Sequence, residues 1–89
     1  MAGETKQFTH LNQGTCSRTV SFSLDADGNV HDVSFMGGCN GNLKGIGSLV
    51  EGMPAQWVID RCKGTTCGFK NTSCPDQLAQ AVQEALESN

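Results

Sequence analysis

The sequence predicts an α+β domain: an antiparallel β-hairpin within a small sheet, followed by two or three helices packed on one face. Three observations carry this. Thr19–Leu24 and His31–Phe35 each alternate apolar and polar residues, and a turn-rich segment joins them. From Leu43 onward, apolar residues recur at helical spacing instead. Strands first and helices after is the order of a sheet with its helices gathered on one face. At 89 residues the chain reads as one domain, 1–89, with residues 1–5 expected to be flexible.

Lys6–Leu11 fits a short first strand. Val20, Phe22 and Leu24 then share one face of a half-buried strand, and His31, Val33 and Phe35 alternate on the next. The Asp25-Ala26-Asp27-Gly28-Asn29 segment between them is dense in turn formers. It looks like the start of a calcium loop but lacks that motif's later Glu ligand, so it reads as turn chemistry. Leu43, Ile46, Leu49 and Val50 form the stripe of a helix that stops at Gly52. Gly45 and Gly47 weaken this helix and fit close packing on a neighbour. Pro54 suits the first position of a second helix carrying Trp57, Val58 and Cys62, which ends at Gly64. Residues 64–73 read as a loop. Pro75 opens the last helix, with Asp76 in its first turn and Leu78, Val82 and Leu86 on its buried stripe beside Ala79, Ala81 and Ala85.

Composition narrows the function. Nine acids against six bases give a net charge of −3, which argues against nucleic acid as a partner. No apolar run reaches the ~20 residues of a membrane span. Met1–His10 is polar and lacks the apolar stretch of a signal peptide. The five cysteines, Cys16, Cys39, Cys62, Cys67 and Cys74, are odd in number, so a fully paired disulfide framework is not expected. Together these readings place the chain in a reducing cytoplasm. There a cysteine cluster points to metal binding or thiol chemistry.

Four of the cysteines fall at element junctions. Cys16 precedes the hairpin, Cys39 lies at the strand-to-helix turn, Cys67 sits in a loop beside Gly68, and Cys74 stands at the start of the last helix. A helix N-terminus favours thiolate over thiol. Cys16, Cys39, Cys67 and Cys74 are therefore the candidate metal ligands, for zinc or an iron–sulfur cluster. Cys62 shares a helical face with Val58 and reads as core. The alternative is a redox role for the same thiols. A further alternative uses Gly37, Gly38, Asn40, Gly41 and Asn42, a glycine-rich turn between strand and helix, to approach the phosphate of a nucleotide or flavin. His10 and His31 lie far in sequence from the cysteines and are left out of the site. The acids are scattered, with no carboxylate pair standing out.

Thr72-Ser73-Cys74-Pro75-Asp76 is the signature that names the TSCPD domain, and the chain resembles that family's small stand-alone members. Gly14-Thr15-Cys16-Ser17, Gly37-Gly38-Cys39-Asn40-Gly41-Asn42, Cys67-Gly68 and Asp76-Gln77-Leu78-Ala79 support it, so the resemblance spans residues 14–86. TSCPD domains are best known as C-terminal extensions of adenosylcobalamin-dependent ribonucleotide reductases. The resemblance implies a ribonucleotide reductase label and metal binding. A chain of this length lacks the reductase barrel, so the expected role is accessory, with a ribonucleotide reductase or another redox protein as partner. The layout is also similar to U-type iron–sulfur cluster scaffolds, whose three cysteines occupy the places of Cys16, Cys39 and Cys74. It departs from them at Arg18, where the scaffolds carry Asp, and at Ser73, where they carry His.

Overall fold

A computed structural model describes residues 5–12, 14–15, 17–38, 40–66 and 72–87, with Asn40 described by its backbone only. Three strands, β1 (Lys6–Leu11), β2 (Ser17–Leu24) and β3 (Val30–Gly37), form one antiparallel sheet in the order β1-β2-β3. Three helices follow: α1 (Asn40–Val50), α2 (Ala55–Cys62) and α3 (Cys74–Glu87). The α+β expectation holds. α1 packs on β3, α3 lies against β1 and β2, and α2 packs on α3.

The alternation in β2 places Val20, Phe22 and Leu24 in the core with Val30, Val58, Leu78 and Val82. Phe8 of β1 stacks on Phe22, with ring centroids 5.5 Å apart. Each large apolar side chain buried this way contributes about 1.5–3 kcal/mol. Trp57 and Cys62 are partly buried and pack against the same cluster, as their spacing in α2 implies.

The sheet contains two bulges that sequence alternation does not announce. Ser17 pairs with Gly37 and Thr19 with Met36, so Arg18 is an extra residue in β2. In a regular strand, Ser17 and Val20 would face opposite sides. The bulge buries both, leaving them 2% and 0% exposed. The second bulge is in β3, where Ser34 pairs with Ser21 but His31 pairs with Ser23. Within it Asp32 takes φ +57°, a left-handed conformation that Asp tolerates better than most residues.

The turn at residues 25–29 forms as its composition implies. Asp25 Oδ1 accepts the backbone N–H groups of Asp27 and Asn29, both at 2.9 Å. The α1–α2 connection then zips onto this turn. Gly52 N–H donates to Val30 O at 2.7 Å, Val30 N–H to Met53 O at 2.8 Å, and Ala55 N–H to Gly28 O at 2.9 Å. Pro54 consequently caps α2 rather than opening it, bridged to Asn29.

Gly47 fulfils the close-packing expectation: a Cβ there would lie 3.0 Å from the Val33 carbonyl oxygen. Gly45 faces open space and has no such role. Two stripe residues are corrected. Leu49 is 76% exposed and Leu86 37%. Both sit at the margin of their helical stripes, and a single neighbouring layer covers only the centre.

Candidate functional site

The Thr72–Asp76 segment is mostly a device for starting α3. Ser73 Oγ accepts the Asp76 N–H at 3.2 Å, which caps the helix, and donates to Thr65 O at 2.7 Å. Pro75 follows in the first turn, where its missing N–H costs nothing. The Asp76 carboxylate is buried and accepts from the Thr72 hydroxyl, from Gly64 N–H at 2.7 Å and from Gln80 Nε2 at 2.9 Å. Burial would raise its pKa. The hydrogen bonds from Thr72, Gly64 and Gln80, with the charge of Lys63, outweigh that and hold it below 3.8. Gln77 extends the network by donating to Thr72 Oγ1 at 2.9 Å and accepting from His10 Nε2 at 3.1 Å. The first helix turn is thus tied to the α2–α3 loop and to β1.

This scaffold holds Cys74 as the first residue of α3, 7% exposed. Ser17 Oγ lies 2.9 Å from its Sγ. Asn12 Nδ2 donates to Ser17 Oγ at 2.8 Å, which leaves the Ser17 hydroxyl hydrogen available to the sulfur. Asn12 Oδ1 is buried without a partner, alone in this among the described side-chain atoms. The sulfur thus sits at a helix N-terminus beside a hydroxyl that can donate to it.

Of the four expected ligands, Cys74 is described, while Cys16, Cys39 and Cys67 lie outside the described residues. Described residues flanking Cys16 and Cys39 meet at Cys74. Ser17, next to Cys16, touches Cys74 and pairs with Gly37 at the end of β3. A Cβ on Gly14 would lie 3.1 Å from Thr72 Cγ2. Among the described residues no group of three or more His, Cys, Asp or Glu side chains could hold a metal. Cys62 packs partly buried against the core, and burial pushes its thiol pKa up from 9.0, away from thiolate chemistry.

In the glycine-rich turn, Gly37 and Gly38 have φ of +83° and +79°, so the backbone itself calls for glycine there. Gly41 and Asn42 are exposed in the first turn of α1.

Both histidines are hydrogen-bonded to side chains distant in sequence. His10 bonds Gln77 and, through Nδ1, Glu84 at 3.0 Å. His31 stands between Asp25 and Glu51, at 2.7 and 2.6 Å. The acids that look scattered in sequence are thus paired through an imidazole. The two carboxylates contact opposite ring nitrogens, so they do not converge on a common point as metal ligands.

These features define a small α+β domain that presents a buried cysteine at a helix start, beside the ends of two strands. The sequence model of the TSCPD domain matches residues 2–86, and the chain belongs to that family. No curated protein and no solved structure matches it. No helix among the described residues is long and apolar enough to cross a membrane.

Proposed function

We propose that this TSCPD domain binds a metal centre, zinc or an iron–sulfur cluster, through the thiolates of Cys16, Cys39, Cys67 and Cys74. It serves ribonucleotide reductase-type or other redox metabolism as an accessory in the cytoplasm, with a reductase or another redox protein as partner. The observation that carries this reading is the meeting of Ser17 with both Cys74 and Gly37. It brings the described flanks of three motif cysteines to one end of the sheet. Cys74 suits a thiolate ligand, because the Ser17 hydroxyl and the α3 N-terminus both offset negative charge on sulfur. Four thiolates suit zinc and iron–sulfur clusters alike. Bound metal would supply a cross-link between strand and helix ends that a thin core lacks. The residues described here would orient the ligands. Ser73 and Asp76 fix the helix turn that carries Cys74, and Asn12 and Ser17 fix the direction of its sulfur lone pairs.

Elemental analysis and an absorption spectrum, on protein purified anaerobically without chelator, test the reading. About one zinc per chain, or brown iron–sulfur absorbance, supports it. Colourless, metal-free and stable protein overturns it. A second reading, a thiol redox carrier for a reductase, is favoured by the same Ser17–Cys74 contact and predicts a disulfide that forms and breaks reversibly. A co-purified nucleotide or flavin would instead turn attention to Gly37–Asn42.

A further inference from the structure

His31 lies outside the proposed metal site, and its geometry is restrictive. Nε2 is 2.7 Å from Asp25 Oδ2, and Nδ1 is 2.6 Å from Glu51 Oε2. An ionised carboxylate only accepts hydrogen bonds. A neutral imidazole has one N–H, so it would satisfy one carboxylate and set a lone pair against the other. Both contacts are favourable together only for the imidazolium ion.

The two carboxylates are anchored unequally. Asp25 Oδ1 is held by two backbone N–H groups of its own turn. Glu51 Oε1 accepts one, the Asp32 N–H at 2.9 Å, on a longer and more exposed side chain. That N–H belongs to the left-handed residue of the β3 bulge. Glu51 therefore joins the end of α1 to β3 at two points, one of which depends on the His31 proton.

We infer that Asp25, His31 and Glu51 form a proton-controlled clasp fastening the C-terminal end of α1 to the β2–β3 hairpin. With His31 protonated the clasp is closed. When the proton leaves to solvent, the remaining N–H stays with the better-anchored Asp25, and the Glu51 contact opens. The charged groups that act on the His31 ring are Asp25 from the turn and Glu51 from the end of α1. Lys44 and Glu51 line one surface depression with Asp32. Two carboxylates at one ring favour the cation. The hydrogen bond to Asp25, then that to Glu51, raise the His31 pKa above 6.5. The other end of α1 follows Cys39 directly in sequence, so the clasp governs how firmly that helix is seated on β3.

An NMR pH titration of the full chain in reductant tests this, following the His31 ring and the Val50 and Gly52 amides. The expected His31 midpoint lies above 6.5, with both amides shifting at that same midpoint. Glu51→Gln lowers the His31 midpoint, and so does Asp25→Asn, which serves if the first variant folds poorly. A wild-type midpoint at or below 6.5 overturns the clasp. So do Val50 and Gly52 amides that ignore the His31 titration, or a midpoint unmoved in a folded variant.

Discussion

Ser17 Oγ lies 2.9 Å from Cys74 Sγ, although the residues are 57 positions apart in sequence. The contact depends on the Arg18 bulge, which turns Ser17 to the helix-facing side of the sheet. Ser17 does not enter the sequence reading as a site residue, yet its hydroxyl is in hydrogen-bond contact with that sulfur. If the proposed metal site exists, cobalt(II) is expected to bind Ser17→Ala roughly 10-fold more weakly than wild type, as when outer-shell partners are removed. Its sulfur-to-cobalt charge-transfer band moves to longer wavelength, because an unbonded thiolate is the stronger electron donor. A competitive chelator titration with absorbance detection reads both effects. Wild-type protein that takes up no cobalt counts against the metal site itself, whereas identical binding by both proteins counts against Ser17.

Asp76 is a buried carboxylate satisfied by three donors from the loop and its own helix. Asp76→Ala strands the Gly64 N–H and the Thr72 hydroxyl, so unfolding free energy is expected to fall by about 2–3 kcal/mol. Urea denaturation monitored at Trp57 measures this. Because the native pKa lies below 3.8, the wild-type contribution is complete above that pH and disappears as pH falls through the lower native value. The variant loses that part of the acid limb.

Stability has a second pH signature at His31. Its raised pKa means the stabilisation is complete below 6.5 and is lost as pH rises through the higher native value. Asp25 and Glu51 have lowered values, Asp25 chiefly through the Asn29 N–H and Glu51 chiefly through the Asp32 N–H. Their contribution is present above 3.8 and 4.5 and fades as pH falls below those values. The bracket is therefore at full strength between 4.5 and 6.5. Thermal melts in reductant are expected to show an alkaline decline through the His31 titration that His31→Gln flattens. All three side chains are partly exposed, so added salt shrinks the effect.

Two glycines of α1 separate local propensity from packing. Gly45 faces open space, and Gly45→Ala is expected to stabilise the protein by about 0.5–1 kcal/mol. Gly47→Ala makes the same propensity gain but drives a Cβ to 3.0 Å from the Val33 carbonyl oxygen. Overpacking of this kind costs about 1–3 kcal/mol, and the obstacle is strand backbone rather than a flexible side chain. The expected pair of results is a higher midpoint for the first variant and a lower one for the second. Equal gains would mean that α1 is not pressed against β3.

Much of the architecture was legible because it rests on periodicity. The pattern Val20, Phe22, Leu24 has period two, and Leu78, Val82, Ala85 follows a helix, so strands and helices fell where expected. Cys62 packs against the core, partly buried, because it lies one helical turn from Val58. Leu49 and Leu86 lie on the predicted stripes yet are exposed, because periodicity says which way a side chain leans, and only a neighbour decides whether it is covered. The cysteine set was chosen from junction positions. Ser17 and Asn12 escaped because their role begins with one unpaired residue at position 18, which reverses the facing of everything before it in the strand.

By itself the sequence determined the order of elements, the turn at residues 25–29, the start of α3 near Pro75 and the family. Each is governed by interactions among residues a few positions apart, or by an unbroken motif. Tertiary structure alone decided that Ser17 meets Cys74, that Asp76 receives the Gly64 N–H, and that His31 is clasped by Glu51, 20 residues away. These contacts depend on how bulges and loop closures set distant segments against one another. A hydrogen bond fails over a displacement of an ångström, while the hydrophobic pattern that specifies a strand or helix tolerates one.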